Sequence, residues 1–408
     1  MRADLCDRAL MSKVDVLSGW QTMASFLPAE YESLAAEHRQ VETKFGNAKI
    51  RDAETLLRFV LLHVGAELPL RQTVAVMAEA GGPSLSPMRL HKKMARAAPY
   101  LRSLVERMVA WPMEGAPEHW GGYLFCAVDA TVVCGPGAIG TDARIHTKLR
   151  IADVSLAAVE VTDETGGETF CRFAWEPGEL AVADRAYFTP RGIQHVLDAG
   201  ADVLVRYRLD GAELQDARGD VLDVLDTVAP LEIGQTMDLD VAIKLPHRVA
   251  PGRLVAYRLP DDAVDRARER LRREKGSALS ARVFDAAKYV LLFTTAARSR
   301  LDADRCLSGY RLRWQIELQF KRWKSLCGFD LLPNWRDDTT LAWLYAKVLL
   351  GALLDRMASI PTELSPPEHL PEHPASVDRA AALVVRPVET HQYPLAADDR
   401  GASTVRAA

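Results

Sequence analysis

The apolar positions of this chain keep one rhythm up to about residue 115 and another beyond it. Before that point they recur at helical spacing, in residues 53–64 (E-T-L-L-R-F-V-L-L-H-V) and again in 71–80, so residues 1–115 read as an all-helical domain. Residues 71–80, the linker G-G-P-S-L-S and residues 87–98 have the proportions of helix, turn and second helix, with Ser86 as N-cap and Pro87 in the first helical position. The second helix carries Arg89, Lys92, Lys93 and Arg96, the most basic stretch of the chain. Such a hairpin either enters a DNA groove or presents a solvated basic face, and its linker is longer than the tight turn of a strict helix-turn-helix.

After residue 116 the pattern turns to strands. Residues 121–133, G-G-Y-L-F-C-A-V-D-A-T-V-V, form an almost unbroken apolar run interrupted by Asp129. An unpaired buried carboxylate costs on the order of several kcal/mol, so Asp129 must sit at the strand's open end, cap the turn toward Gly135-Pro136-Gly137, or meet a positive partner. Residues 144–154 and 155–163 read as an antiparallel pair closed by Glu164-Thr165-Gly166-Gly167. Residues 177–188, P-G-E-L-A-V-A-D-R-A-Y-F, give a turn, a short buried strand and Asp184 at its end. A helix (190–199, closed by Gly200) and a strand (201–208) complete a parallel strand–helix–strand unit. Reactive groups of open α/β sheets gather at the carboxyl ends of strands, and two acids on neighbouring strand ends would converge.

Residues 209–287 hold short alternating runs (235–243 and 253–259) and a charged, Arg-rich helix (261–275), a β-rich insertion before the apolar strand 289–295 returns the chain to the sheet. The Arg266 to Arg273 face reads as solvated and laced with i,i+4 pairs. A helix over about 340–357, apolar on most sides, should pack against the core or a second subunit. Residues 361–408, rich in Pro, Glu, His and Ala, read as a disordered tail. The fold class is α/β: a mixed sheet flanked by helices, in two parts (116–208 and 288–360) around the insertion (209–287), behind the helical N-terminal domain.

Composition narrows the function only slightly. At 408 residues the chain is too long for one small core, and 48% hydrophobic with 26% charged residues describes an ordinary globular protein. A net charge of -4 does not advertise a nucleic-acid partner, although such footprints are local. The six cysteines lack zinc-ligand spacing and read as free thiols of a reducing cytoplasm. The start, M-R-A-D-L-C-D-R, has no apolar segment of a signal peptide, and the run 341–354 is too short for a bilayer and contains Lys347. No Gly-rich phosphate loop occurs, which argues against ATP and nicotinamide cofactors.

The candidate chemistry lies in residues 310–324, Y-R-L-R-W-Q-I-E-L-Q-F-K-R-W-K. As one straight helix, this stretch brings Tyr310, Arg313, Glu317 and Lys324 within an arc of roughly 60°, opposite Leu312, Ile316, Trp323 and Leu326. The polar stripe would run about 21 Å, long enough to follow several phosphates of a strand. Cys327-Gly328 would end it. Arg313 and Glu317 are also i,i+4 partners, so an amphipathic surface helix is the plain alternative.

The spacing Y-x2-R-x3-E-x6-K resembles the Y-R-E-K signature of bacterial insertion-sequence transposases of the type-four family, members of the DDE transposases. D-A-T at Asp129 and A-D-R-A-Y-F at Asp184 resemble that family's first and second catalytic aspartates, with Ala186 where glycine is common. The resemblance implies a ribonuclease-H-like core and three catalytic, metal-holding acids, Asp129, Asp184 and Glu317, with Mg2+ or Mn2+, as two ions, the cofactor. It implies phosphate contacts from Tyr310, Arg313 and Lys324, and DNA as partner, both terminal inverted repeats and target, handled by a homodimer on paired ends. Recognition of the repeats would fall to Arg89, Lys92, Lys93 and Arg96. The implied activity is metal-dependent strand cleavage and strand transfer, and the protein is cytoplasmic, meeting the nucleoid when bound to DNA. Two rival readings stay open: a ribonuclease-H-like nuclease without strand transfer, and a decayed, non-catalytic DNA-binding protein.

Overall fold

The computed structural model describes residues 20–41, 50–109, 121–135, 142–275, 280–329, 332 and 337–359. The expected tail, the turn at 136–137 and the sequence around Trp335 lie outside the described residues. Among the described residues five helices come first: α1 (Trp20–Ala24), α2 (Tyr31–Glu37), α3 (Ala53–Gly65), α4 (Leu70–Glu79) and α5 (Pro87–Val109). Strands β1 (Leu124–Val133), β2 (Ala143–Arg150), β3 (Ser155–Asp163) and β4 (Glu179–Ala183) follow, then α6 (Pro190–Asp198) and β5 (Asp202–Arg206). The interval before the last strand holds β6 (Leu214–Gln215), α7 (Val224–Val228), β7 (Thr236–Lys244), β8 (Val249–Arg258), α8 (Asp261–Lys275) and α9 (Ala281–Ala286). The chain then runs through β9 (Tyr289–Thr294), α10 (Ala303–Leu312), α11 (Trp314–Cys327) and α12 (Asp337–Ser359).

The nine strands form one mixed sheet in the order β3-β2-β1-β4-β5-β9-β8-β7-β6. β1, β4 and β5 run parallel at its centre and every other neighbouring pair is antiparallel. The β-rich interval therefore continues the same sheet through β8 and β9, a pairing that local sequence pattern does not encode. All five residues of β4 are buried, as a central parallel strand with helices on both faces requires.

Alternation sorts the side chains onto two faces. Cys126 and Val128 of β1 and Ala181 and Ala183 of β4 pack with Phe170, Tyr187 and Ile193 under α6. Phe125 and Ala127 with Leu180 and Val182 pack on the opposite face with Cys306, Ile316 and Phe320 of α10 and α11. Gly309 seats α10 directly on β1: a Cβ there would meet the Phe125 ring at 2.5 Å. On the side of β2 and β3, α3, α5 and α12 share one core with Val133, Ala143 and Ile145, so the N-terminal helices bury their apolar faces against the sheet and α12.

Two helices differ from the sequence reading. The second basic helix does not stop at residue 98 but continues through Pro99 to Val109, with Leu101, Leu104, Val105 and Met108 buried in the shared core. The supposed straight helix 310–324 is broken at Arg313, where Arg313 N–H bonds to Tyr310 O and Ile316 N–H to Arg313 O, both at 3.1 Å. These i→i−3 bonds tighten the turn, and each residue in such a turn advances by about 120° instead of 100°. The backbone of Arg313 stays in the right-handed helical region, φ −51° and ψ −29°, and its side chain still meets Glu317 at i,i+4. The end at Gly328 stands as read, with φ +55° in the left-handed C-cap.

Candidate active site

Asp129 and Asp184 reach the same place by register. The last paired residues of β1 and β4 are Ala127 and Val182, whose side chains face α10 and α11. Each acid lies two residues further on, so both continue that face just beyond the stretch in which β1 and β4 pair, Asp129 still within β1 and Asp184 past the end of β4. Asp184 is fixed by the tight turn Arg185–Tyr187, whose Ala186 N–H donates to Oδ1 at 2.8 Å. Asp129 accepts from Ala130 N–H at 2.8 Å through Oδ1 and from Arg313 Nη1 at 3.3 Å through Oδ2. Burial pushes the Asp129 pKa up to about 7, against the pull of the Ala130 N–H and Arg313, and the charges of Asp184 and Glu168 add to the rise. Asp129 lies inside β1 and not in a turn, and the positive partner it requires is Arg313.

Arg313 reaches Glu317 as well, with Nη2 at 2.6 Å from Oε1. One guanidinium thus spans an acid from the sheet and an acid from α11. The Tyr310 ring lies 5.8 Å from the Arg313 guanidinium carbon, and burial raises its phenol pKa. Beside them opens a cavity of about 580 Å³, lined among others by Arg206, Tyr257, Tyr310, Arg311, Arg313 and Trp314. Lys324 lies in the last turn of α11, about 10 Å along the helix from Glu317. Asp129, Asp184, Glu317, Arg313 and Tyr310 are therefore neighbours, and Lys324 is at the margin.

The basic residues of α5 stand elsewhere. Lys92 and Arg96 are exposed, whereas Lys93 Nζ donates to Gln40 O at 2.9 Å and so helps to fasten α5 to the preceding helices. That leaves Lys92 and Arg96 as the exposed members of this set, with Arg89 half-buried.

A divalent cation needs hard oxygen donors, and the carboxylates supply them. Among the described residues, no three His, Cys, Asp or Glu side chains stand close enough together to hold an ion as they lie. Arg313 sits between Asp129 and Glu317 and balances their charge as a cation would. The donor set fits a divalent ion in chemistry, and the elevated Asp129 pKa marks a carboxylate whose charge is under-compensated by the protein alone.

Sequence reading passed over three neighbours of these acids. Glu168 follows the Gly166-Gly167 turn, and burial, with the charge of Asp184 adding to it, raises its pKa while Arg144 opposes. Tyr187, in the A-D-R-A-Y-F stretch, is fully buried with no partner for its hydroxyl. Thr147, paired with Asp129 across β1 and β2, is likewise buried with an unpartnered hydroxyl. Only Tyr187 carried a signal in sequence, its place three residues after Asp184.

Residues 120–349 match the family model of the transposase DDE domain. The chain is 30% identical over 333 residues to the InsL protein of insertion sequence element IS186A of Escherichia coli K12, covering 79% of this chain and 90% of that protein. It is 30% identical over 334 residues to the transposase for insertion sequence element IS421 of Escherichia coli, with the same shares covered. A solved structure, the piggyBac transposase synaptic complex with hairpin DNA, is similar with a TM-score of 0.43 and 10% identity over 92% of this chain and 80% of that one, too distant to refine the fold. Since the family match runs through β1, β4 and α11 alike, with their acids, the chain belongs to the DDE transposase family and is an insertion-sequence transposase, an enzyme of DNA transposition.

Proposed function

We propose that this transposase cuts DNA at the ends of its insertion sequence and joins the freed ends to a target, using Asp129, Asp184 and Glu317 as its acid triad in a ribonuclease-H-like core. One observation carries the reading: two aspartates sit in register just past the paired stretch of adjacent parallel strands, and Arg313 connects the first of them to Glu317. The sheet order β3-β2-β1-β4-β5, an antiparallel meander followed by two parallel strands, supports the core assignment. The Y-R-E-K spacing supports membership of the type-four group.

Asp129 and Asp184, with Glu317 once its guanidinium partner moves, would hold Mg2+ or Mn2+, two ions in the complete site. Bound there, the ions supply Lewis acidity at the entering and leaving oxygens of an in-line displacement at phosphorus. The chain's own residues do the rest. Arg313 exchanges a carboxylate for a backbone phosphate and holds the strand in line, a placement worth several orders of magnitude in rate. Tyr310 and Lys324 touch the same strand on either side, contacts that position without reading sequence. The carboxylates keep a water, and later a 3′-hydroxyl, oriented for attack. Lys92 and Arg96 of α5, with Arg89 beside them, would meet the terminal repeats, while Lys93 holds the helix in place, and a homodimer would pair the two ends.

The test is cleavage and strand transfer on duplexes that carry the inverted repeats flanking the gene, with Mg2+ present. The reading expects nicking followed by joining, both lost in chelator and in Asp129→Asn. Arg313→Ala should lower cleavage and binding together. Nicking without joining would make the protein a nuclease, and end binding without nicking a decayed binder.

A further inference from the structure

Asp129 and Asp184 belong to a row with a third member. Ala183 of β4 pairs with Val205 of β5, so Asp184 and Arg206 come next on two adjacent parallel strands. Val205 packs under α6, whereas Leu204 packs with α10 and α11, and Arg206 continues the Leu204 face two residues on. Asp129, Asp184 and Arg206 thus stand in line across β1, β4 and β5, which are spaced about 4.8 Å from strand to strand.

Arg206 does not pair with the acid beside it. Its side chain lines the cavity next to Arg313, and Arg311, from the last turn of α10, lines it too. Other arginines around this end of the sheet are committed: Arg208 meets Asp210 at 3.1 Å, Arg253 meets Asp238 at 2.7 Å, and Arg298 meets Asp238 and Asp240 at 3.0 and 2.8 Å. Among the described residues Arg206 and Arg311 have no such partner, and Asp304 is the sole carboxylate on the cavity wall. The charge of Arg313 is taken up by Asp129 and Glu317. Two uncommitted guanidiniums facing one space make a site for an anion, and a guanidinium grips phosphate through two parallel N–H bonds.

The cavity also tells what the anion is attached to. It shares Tyr310 and Arg313 with the acid site, so its occupant is continuous with whatever lies on those residues. Its volume, about 580 Å³, is that of a small-ligand pocket, with room for a phosphate and its sugar and none for a duplex. Its far wall comes from the insertion, where Thr236 of β7 pairs with Tyr257 of β8. We propose that this cavity seats the DNA backbone phosphate adjacent to the scissile one, with Arg206 and Arg311 as its ligands, on the strand that runs from the acids toward the insertion. The inference rests on the assignment of Asp129, Asp184 and Glu317 to the active site. Arg313 holds the strand at the acids and Arg206 with Arg311 holds it one nucleotide on, which fixes the strand's direction and with it the line of attack.

The experiment measures single-turnover cleavage of end duplexes that carry one uncharged methylphosphonate at a time, walked across the phosphates on both sides of the cleaved bond. The proteins are wild type, Arg206→Ala, Arg206→Lys and Arg311→Ala. In wild type, one position beside the cleaved bond should lower the rate about tenfold or more, as loss of a charge-assisted contact does. Arg206→Ala and Arg311→Ala should be slower on the all-phosphate duplex, lose little more at that one position, and keep the wild-type sensitivity at every other. Arg206→Lys, which keeps the charge without the fork, should fall between. Arg311 is exposed, so Arg311→Ala probes the site without touching the core. Losses that multiply at every position, or wild-type cleavage by folded Arg206→Ala and Arg311→Ala, overturn the proposal. If wild type cleaves and Glu317→Gln does not in that case, only the cavity assignment fails. If Glu317→Gln cleaves like wild type, or wild type leaves the ends uncut, the active-site assignment falls and this proposal with it.

Discussion

Replacing Asp129 by Asn should stabilise the protein, and by an amount that grows with pH. The carboxyl is largely buried, 19% exposed, and its pKa rises from 3.8 to about 7 on folding. The native chain therefore retains, between pH 4 and 7, a proton that the unfolded chain has released. Stability falls as pH rises through that window and the whole cost is present above it. At about 1.4 kcal/mol per pH unit, the difference between 3.8 and about 7 corresponds to a cost on the order of 4 kcal/mol. Asn matches the protonated acid in shape and does not titrate. Asp129→Asn should equal wild type near pH 4 and exceed it by that order of magnitude near pH 8, as read by urea unfolding in a chelating buffer. Mg2+ should then narrow the gap by binding native wild type and not the variant. A gap that is independent of pH, or that shrinks toward high pH, refutes the burial argument.

Other perturbations separate the parts. Glu317→Gln should leave end binding intact while cleavage falls on the order of 10⁴-fold, and cleavage at the wild-type rate would reduce Glu317 to a helical partner of Arg313. Lys92→Ala and Arg96→Ala should each weaken end binding and lower the salt slope by about 0.9 per lost phosphate contact, whereas an unchanged slope makes α5 a solvated face. Gly309→Ala drives a methyl group into the Phe125 ring and should cost about 1–3 kcal/mol in unfolding measurements; an unchanged melting temperature would mean that α10 is not seated on β1 as described.

The sequence revealed what local chemistry decides. Asp129 and Asp184 stood out because each interrupts or ends an apolar run, and the end of α11 was readable in Gly328. Asp302 Oδ1 caps α10 by accepting from Arg305 N–H at 2.8 Å. The Arg313–Glu317 pair was equally legible at i,i+4. Its third member was not, because Asp129 is 184 residues away and only the seating of α10 on β1 brings it in. Separation in sequence also hid the tie from Lys93 to Gln40 and the pairing of β9 with β8 that folds the insertion into the sheet. The break at Arg313 escaped notice for another reason: the stretch contains no Pro or Gly, and the tight turn shows only in its backbone bonds.

That break also decides which part of the site can adapt. α11 is gripped from behind: Ile316 and Phe320 are buried on the sheet, and the Trp323 side chain lies under Gly351 of α12, where a Cβ would come within 2.8 Å of Nε1. Trp323 Nε1 donates to Asp355 Oδ2 at 3.0 Å, Gln319 donates to the same carboxylate, and Arg322 pairs with it at 3.5 Å. Burial raises the Asp355 pKa, and these three partners are what favour its ionised form. Sliding α11 would strip that buried carboxylate of its donors, a loss of about 3–5 kcal/mol by comparison with broken buried ion pairs. Glu317 therefore rides on a fixed helix. Arg313 does not share that constraint, since it lies between the two helices, holds two acids by its terminal nitrogens and leaves Nε buried without a partner. In the mechanism proposed above, exchange of a carboxylate for a DNA phosphate would therefore be a rotamer change of one side chain beside a Glu317 held on a packed helix, so Arg313→Ala should disturb strand placement and Glu317→Gln should not.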